Sequence, residues 1–284
     1  MENYTVQKLK ITCDEIEWLY APDEEYVNYE GCKRYLQMIF PYRRTWEKNE
    51  KFPLVLFIPG SAWHKQEMYN NIPQYTHIAE RGIFFAAMQY RESDIAVFPA
   101  QIYDVHNAMN YLIENAEKLH IDTERIFFAG NSSGGHIALL ASFAMAHGLY
   151  SNQCIFPYTI KGVIAESAPA DLMLCQSESL PPWMKTRPTA DLLGVGSVKD
   201  NKALAVKASC EMYITKEVNL PPVLLLHGDQ DSIVSVDQSR RLYKILKDNH
   251  KTVTYYELEG VNHGGAAFWT DDLIDYIEKF IQNP

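Results

Sequence analysis

The chain has 284 residues, 47% of them hydrophobic and 22% charged, with a formal net charge of −10. Such a composition suits a globular chain that can bury a sizeable core, and an acidic balance with no basic stripe argues against nucleic-acid binding. The five cysteines are scattered and lack C-x-x-C spacing, and no His or Cys pair has metal-ligand spacing, which argues against a disulfide framework or a zinc site.

The N-terminal stretch MENYTVQKLKITCDEIEWLY has no basic segment followed by an apolar run, so the expected site of action is the cytoplasm. No apolar run is long enough to span a bilayer, and no membrane partner is expected. CKRYLQMIFPY, Cys32–Tyr42, alternates as a half-buried strand does. FPLVLFIPG, Phe52–Gly60, is a continuous apolar run ended by Pro-Gly, as in a buried parallel strand. MYNNIPQYTHIAERG reads as a helix stopped by Gly82, and Ile83–Tyr90 as the next strand. Ile102, Val105, Met109, Leu112, Ile113 and Leu119 recur at helical spacing. Arg125–Gly130 is another apolar strand, followed by an apolar helix ending at Gly148. IKGVIAES and PPVLLLHGD are further strands. DQSRRLYKILKDNH is an amphipathic helix, KTVTYYELEG a strand, and TDDLIDYIEKFI a helix opened by a capping Thr270 with acids in its first turn.

Strands alternating with helices over residues 1–284 predict one α/β domain, with a mostly parallel sheet flanked by helices on both faces. Residues from about 171 to 217 break the rhythm with Pro181, Pro182, Trp183 and Pro188. They predict a lid-like insertion over one end of the sheet, above the active site.

FFAGNSSGGHIALL, Phe127–Leu140, raises the chemical question. Gly130-Asn131-Ser132-Ser133-Gly134 fits G-x-S-x-G between a strand and a helix, the context of a nucleophile elbow. A nucleophile on that strained turn needs neighbours without bulk two residues away on each side. Ser132 has Gly130 and Gly134 there, whereas Ser133 would have Asn131, so Ser132 is the candidate nucleophile. Ser133 then opens the helix, where its N–H can face a developing oxyanion.

A serine hydroxyl needs a base, and the base needs orienting. His227, His250 and His263 follow Ser132 at a useful distance. His250 ends a helix and His227 closes an apolar strand, which suits a packed or hydrogen-bonded histidine. His263 lies in the Gly-rich loop LEGVNHGGAAF after the last strand, where an imidazole can reach over the sheet edge, and it is the candidate base. LLLHGDQDSIVS offers Asp229 and Asp231 just beyond a strand's carboxyl end, and spacing alone does not separate them.

These motifs resemble the α/β-hydrolase superfamily, and within it the esterase group that includes the bifunctional feruloyl and acetylxylan esterases. The resemblance runs from about Phe52 to Phe280. YRESDIAVFPAQIYDVHNAMNYL, HIDTERIFFAGNSSGGHIALL, LLLHGDQDSIVSVDQS and GVNHGG carry it. It implies Asp231 as the triad acid, matching the final Asp of His-Gly-x-x-Asp-x-x-Val. One stretch departs: where the family has His-Gly-Gly-Gly-Trp, this chain has Pro59-Gly60-Ser61-Ala62-Trp63. By position Ser61 and Ala62 would supply oxyanion amides with Ser133, and each side chain there narrows the allowed backbone.

The resemblance implies a serine esterase that needs no metal or cofactor. Its substrates would be small-molecule esters, acetyl or feruloyl groups on small carbohydrates. Activity should rise with pH as His263 loses its proton. The stretch Leu172–Cys210, with Met173, Trp183 and Met184, is expected to roof the site, and Trp63 to border the acyl pocket. Two other readings stand beside it: an amide- or peptide-cleaving hydrolase, and a non-catalytic binding protein of hydrolase-like fold. His136 reads as a packed helix histidine, and Asp104 and Glu166 as structural hydrogen-bonding groups. Nothing in the sequence fixes an oligomeric state.

Overall fold

A computed structural model describes residues 6–11, 16–43, 50–175 and 187–284. Its centre is an eight-stranded sheet in the order β1-β2-β4-β3-β5-β6-β7-β8. The strands are β1 (Glu17–Tyr29), β2 (Cys32–Tyr42), β3 (Phe52–Ile58), β4 (Phe84–Met88), β5 (Ile121–Asn131), β6 (Ile160–Glu166), β7 (Val223–Gly228) and β8 (Val253–Leu258). β1, β2 and β4 pair antiparallel, and every pairing from β4 through β3 to β8 is parallel.

All of β3 is buried, and its period of two divides it between the faces. Leu54, Leu56 and Ile58 join a core shared with α2 (Ala100–Glu114) and α3 (Ser133–Ala146). Val55 and Phe57 face α1 (Ile72–Ala79) and α7 (Asp271–Gln282). Helices therefore cover both faces, as a buried parallel sheet requires. α7 buries Leu273, Ile274, Ile277 and Ile281 along one stripe, each side chain contributing ~1.5–3 kcal/mol. Arg81, just past α1, pairs with Asp275 and Glu278 on α7 and clamps the two helices at their exposed edge.

Three local features differ from the sequence reading. β1 is a long strand that the reading did not include. It forms the edge hairpin with β2, largely exposed and with two register shifts. Thr270 occupies the N-cap position of α7, but its hydroxyl turns back to Ala267 O and caps no helix amide. Among the described residues between β6 and β7 the chain forms α4 (Pro188–Leu193), α5 (Lys202–Lys207) and two 3-10 turns. Beyond β7 lies α6 (Asp237–Asp248), the amphipathic helix expected there. Among the described residues no helix is long and apolar enough to cross a membrane.

Candidate active site

Ser132 sits where β5 turns into α3, with φ 52° and ψ −127°. A non-glycine residue held there stores strain of about 1–3 kcal/mol, which the surroundings must offset. They do so on both sides of the turn. The Ser132 N–H donates to Glu166 O at 2.7 Å, and Ser132 O accepts from the His136 N–H at 3.1 Å. The flanking glycines are a steric requirement. A Cβ on Gly134 would lie 1.8 Å from Ile58 O, and one on Gly130 would lie 2.6 Å from Gly134 C. The elbow is thus pressed against β3, and its serine projects from the carboxyl edge of the sheet.

His263 reaches that serine from the loop after β8. Its Nε2 lies 2.9 Å from Ser132 Oγ, and its Nδ1 lies 2.7 Å from Asp231 Oδ2. A carboxylate only accepts, so Nδ1 carries the ring proton and Nε2 is left to accept from the Ser132 hydroxyl. The loops that carry the two partners are stitched together. Asn262 Oδ1 accepts from Ser232 N and Ser232 Oγ, each at 3.0 Å.

Asp231 and Asp229 part company here. Asp229 Oδ1 accepts from Gly260 N at 2.7 Å and fastens the turn after β8. Asp231 has no side-chain exposure and its oxygens are saturated. Oδ1 accepts from Ile233 N and Val234 N at 2.9 Å. Oδ2 accepts from His263 and lies 3.2 Å from His227 Nε2. Burial alone would raise its pKa, but the hydrogen bonds from His227 and His263 hold the carboxyl well below the usual carboxylate range. His227 is itself fully buried, with Nε2 3.0 Å from Val234 O and Nδ1 2.7 Å from Ser239 Oγ.

The loop Pro59–Trp63 lies across the elbow. Gly60 N donates to Asn131 Oδ1 at 2.8 Å, and Ser61 N donates to Ser133 Oγ at 2.9 Å. The Ser61 amide expected at an oxyanion site is therefore paired with the Ser133 hydroxyl in this structure. Ala62 and Trp63 follow with φ 54° and 59°. Among the described residues, the amides of Ala62 and Ser133 donate to no protein acceptor, and both residues border the cavity beside Ser132. Two donors left unpaired next to a candidate nucleophile can receive the oxygen of a tetrahedral adduct.

That cavity holds about 330 Å³. Trp63, Pro169, Ile233 and Val234 give it apolar walls, and Arg187 and Lys199 are the charged residues among its described lining. Leu172 and Met173, expected in the roof, instead belong to or pack against the core, and Cys175 from the same stretch reaches the cavity. Trp183 and Met184 lie outside the described residues. Asp104 is fully buried and holds Tyr29 and Arg91, away from the serine. Glu166 is buried under the elbow, and burial pushes its carboxyl up to about 8. Among the described residues no group of three or more His, Cys, Asp or Glu side chains could hold a metal ion.

Residues 42–246 match the family model BD-FAE. Esterase LipC of Mycobacterium tuberculosis is 26% identical over 80% of this chain and 57% of its own length. Esterase LipQ of the same organism is 29% identical over 74% of this chain and 50% of its own length. The chain spans about half the length of the curated relatives it matches. Among solved structures, a truncated form of a carbohydrate esterase from gut microbiota superposes with TM-score 0.78 at 22% identity, covering 93% of this chain and 95% of that one. A bifunctional GH43-CE of Bacteroides eggerthii superposes with TM-score 0.75 at 25% identity, over 93% of this chain and 38% of that one. The sheet order, the serine turn and the family match agree: the chain belongs to the BD-FAE family and has the α/β-hydrolase fold.

Proposed function

We propose that this chain is a serine carboxylic ester hydrolase acting on acetyl or feruloyl esters of small carbohydrates. One observation carries the reading: the unbroken hydrogen-bond line from Ser132 Oγ through His263 to Asp231, set on a strained strand-to-helix turn. Ser132 Oγ attacks the ester carbonyl carbon as its proton passes to His263 Nε2. Asp231 fixes the ring tautomer and stabilises the imidazolium. The carbonyl oxygen, now an oxyanion, is received by the Ala62 and Ser133 amides, a contribution of about 3 kcal/mol per donor. The C–O bond to the leaving group breaks as His263 returns the proton to the alcohol oxygen. Water then repeats the sequence on the acyl-enzyme and releases the acid. No step calls on a metal or cofactor.

The substrate class rests on size, lining and kinship. A cavity of about 330 Å³ lies at the small end of the range for ligand pockets. Its apolar walls suit a short acyl chain or a single aromatic ring, with the alcohol directed outward. Residues 171–217 are read as the cap, since Cys175, Pro188 and Val198 supply one wall. The carbohydrate alcohol is suggested by the carbohydrate-esterase structure of like fold.

The test is hydrolysis of p-nitrophenyl acetate, butyrate, octanoate and ferulate, and of acetylated xylo-oligosaccharides, by wild type and Ser132→Ala. The reading expects activity on acetate or ferulate that vanishes in the variant and falls toward octanoate. Activity that survives in Ser132→Ala, or a wild type inert on every ester, would overturn it.

A further inference from the structure

The loop Pro59-Gly60-Ser61-Ala62-Trp63 holds a single glycine, so its shape must be imposed from outside. Two consecutive non-glycine residues, Ala62 and Trp63, stand at positive φ, where L side chains are disfavoured. Ala62 has only a methyl group and no handle of its own. Its geometry is set by clamps on either side. Upstream, Asn131 and Ser133 take the Gly60 and Ser61 amides, and the Ser61 hydroxyl lies 2.6 Å from His64 O and 2.9 Å from Tyr90 Oη. Downstream, Trp63 O accepts from Ser93 N at 3.0 Å and from Ser93 Oγ at 2.9 Å. The Trp63 indole is held separately, by a residue of α3.

That residue is His136. Trp63 Nε1 lies 3.1 Å from His136 Nδ1, with the rings edge to face at 89°. An indole N–H only donates, so Nδ1 must be the unprotonated nitrogen. The ring proton is then on Nε2, which lies 2.7 Å from Ala208 O. His136 is 1% exposed, and burial lowers its pKa to about 4, so it stays neutral at any working pH near 7. One imidazole thus bridges three parts of the molecule: the helix behind the nucleophile, the oxyanion loop and the segment between β6 and β7.

We infer that His136 is a positioning residue for the proposed esterase reaction, holding the Ala62 amide in place through the Trp63 indole. It touches no reacting atom. It supplies, through a side chain one helical turn from Ser132, a restraint that helps hold Ala62 and Trp63 at their disfavoured positive φ. This inference rests on the esterase reading above.

The test uses the full chain with p-nitrophenyl acetate, with active sites counted by stoichiometric reaction with a p-nitrophenyl phosphonate. His136→Phe keeps a flat buried ring but cannot accept from the indole. It should lower kcat per titrated site ~10- to 100-fold, less than full loss of a donor, with KM within about twofold. Affinity for phenylboronic acid, whose tetrahedral adduct places an oxygen at the same amides, should weaken by the same factor as kcat. Trp63→Phe should reproduce the loss, and the double variant should be little worse than either single. His136→Gln, which restores an acceptor, should recover part of the rate. If His136→Phe does not fold, Trp63→Phe and His136→Gln make the same comparison. Wild-type kcat in the phenylalanine variants overturns the inference. So does a kcat loss with unchanged boronate affinity, or losses that multiply in the double variant. An inert wild type overturns the esterase reading and this inference with it, whereas an active wild type with an unaffected His136→Phe overturns this inference alone.

Discussion

Replacing Asp231 by Asn is the sharpest perturbation of the proposed triad, because it exchanges one carboxylate oxygen for an NH2 group at nearly constant volume. The carboxylate faces four donors: Ile233 N and Val234 N on Oδ1, and His263 Nδ1 and His227 Nε2 on Oδ2. An asparagine can keep the first two through its carbonyl oxygen. Its NH2 group then meets two ring N–H groups where an acceptor stood. His227 keeps its bond to Val234 O at 3.0 Å and stays as it is. His263 has no such alternative, so its ring turns to the other tautomer, with Nδ1 accepting from the amide and the proton on Nε2. That nitrogen then donates to Ser132 Oγ and can no longer take its proton. Loss of the working tautomer and of the support for the imidazolium should lower kcat ~10³- to 10⁴-fold, or about 4–5.5 kcal/mol of barrier. The assay is kcat and KM on p-nitrophenyl acetate, with Asp229→Asn as the control. The control can keep the bond from Gly260 N through its amide oxygen and should stay within about threefold of wild type. Acid unfolding supplies a second readout. A carboxyl held below its unfolded range stabilises the fold above that range, and the contribution is lost as pH falls toward the folded value. Asp231→Asn should therefore show a shallower loss of Tm from pH 6 to pH 3. An Asp231→Asn enzyme within tenfold of wild type, or an Asp229→Asn enzyme that is worse, would refute the reasoning.

Further predictions follow from neighbouring groups. Gly134→Ala would place a methyl 1.8 Å from Ile58 O, so chemical denaturation should show a loss of about 3 kcal/mol or more; stability within 1 kcal/mol would mean the elbow is not pressed on β3 as described. Glu166, pushed up to about 8 by burial, holds its proton in the folded chain at pH values where an unfolded glutamate has lost it. Wild-type stability should thus fall as pH rises from about 4.5 to 8 and then level, and Glu166→Gln should remove that slope, with its largest gain in Tm at pH 8; a constant Tm difference across the window would refute this. Arg187 and Lys199 at the cavity should disfavour cationic esters. A choline ester should show lower kcat/KM than its neutral isostere at low salt, with the gap narrowing at high salt and in Lys199→Glu; no salt dependence would show that these charges do not reach the substrate.

Much of the architecture was legible because parallel strands buried on both faces announce themselves. β3 and β7 are continuous apolar runs, and α6 and α7 carry clear helical stripes. β1 was not, because an edge strand buries little. Glu24, Glu25 and Asn28 break its alternation, and two register shifts break its phase. α4 and α5, at six residues each, are too short to show a period. At the candidate site, the glycine frame pointed to Ser132 and the Gly-rich loop to His263, since both signals are local. Asp229 and Asp231 could not be separated by spacing, because the distinction lies in which one faces His263 across 32 residues of chain. The tasks of His136 and His227 were hidden for the same reason. Trp63 is 73 residues from His136, and His227 meets Asp231 only because β7 ends in a turn that folds back on it. That the Ser61 amide donates to the Ser133 hydroxyl was not legible either, because position along a loop does not show which acceptor from another element it meets.

The most direct measurement of the central claim is covalent labelling of wild type and Ser132→Ala with a fluorophosphonate, read by intact mass and by peptide mapping. The account predicts one adduct per wild-type chain, on Ser132 in the peptide containing Gly130–Gly134, and none on the variant. An adduct on Ser133, equal labelling of the variant, or an unlabelled wild-type protein would contradict it.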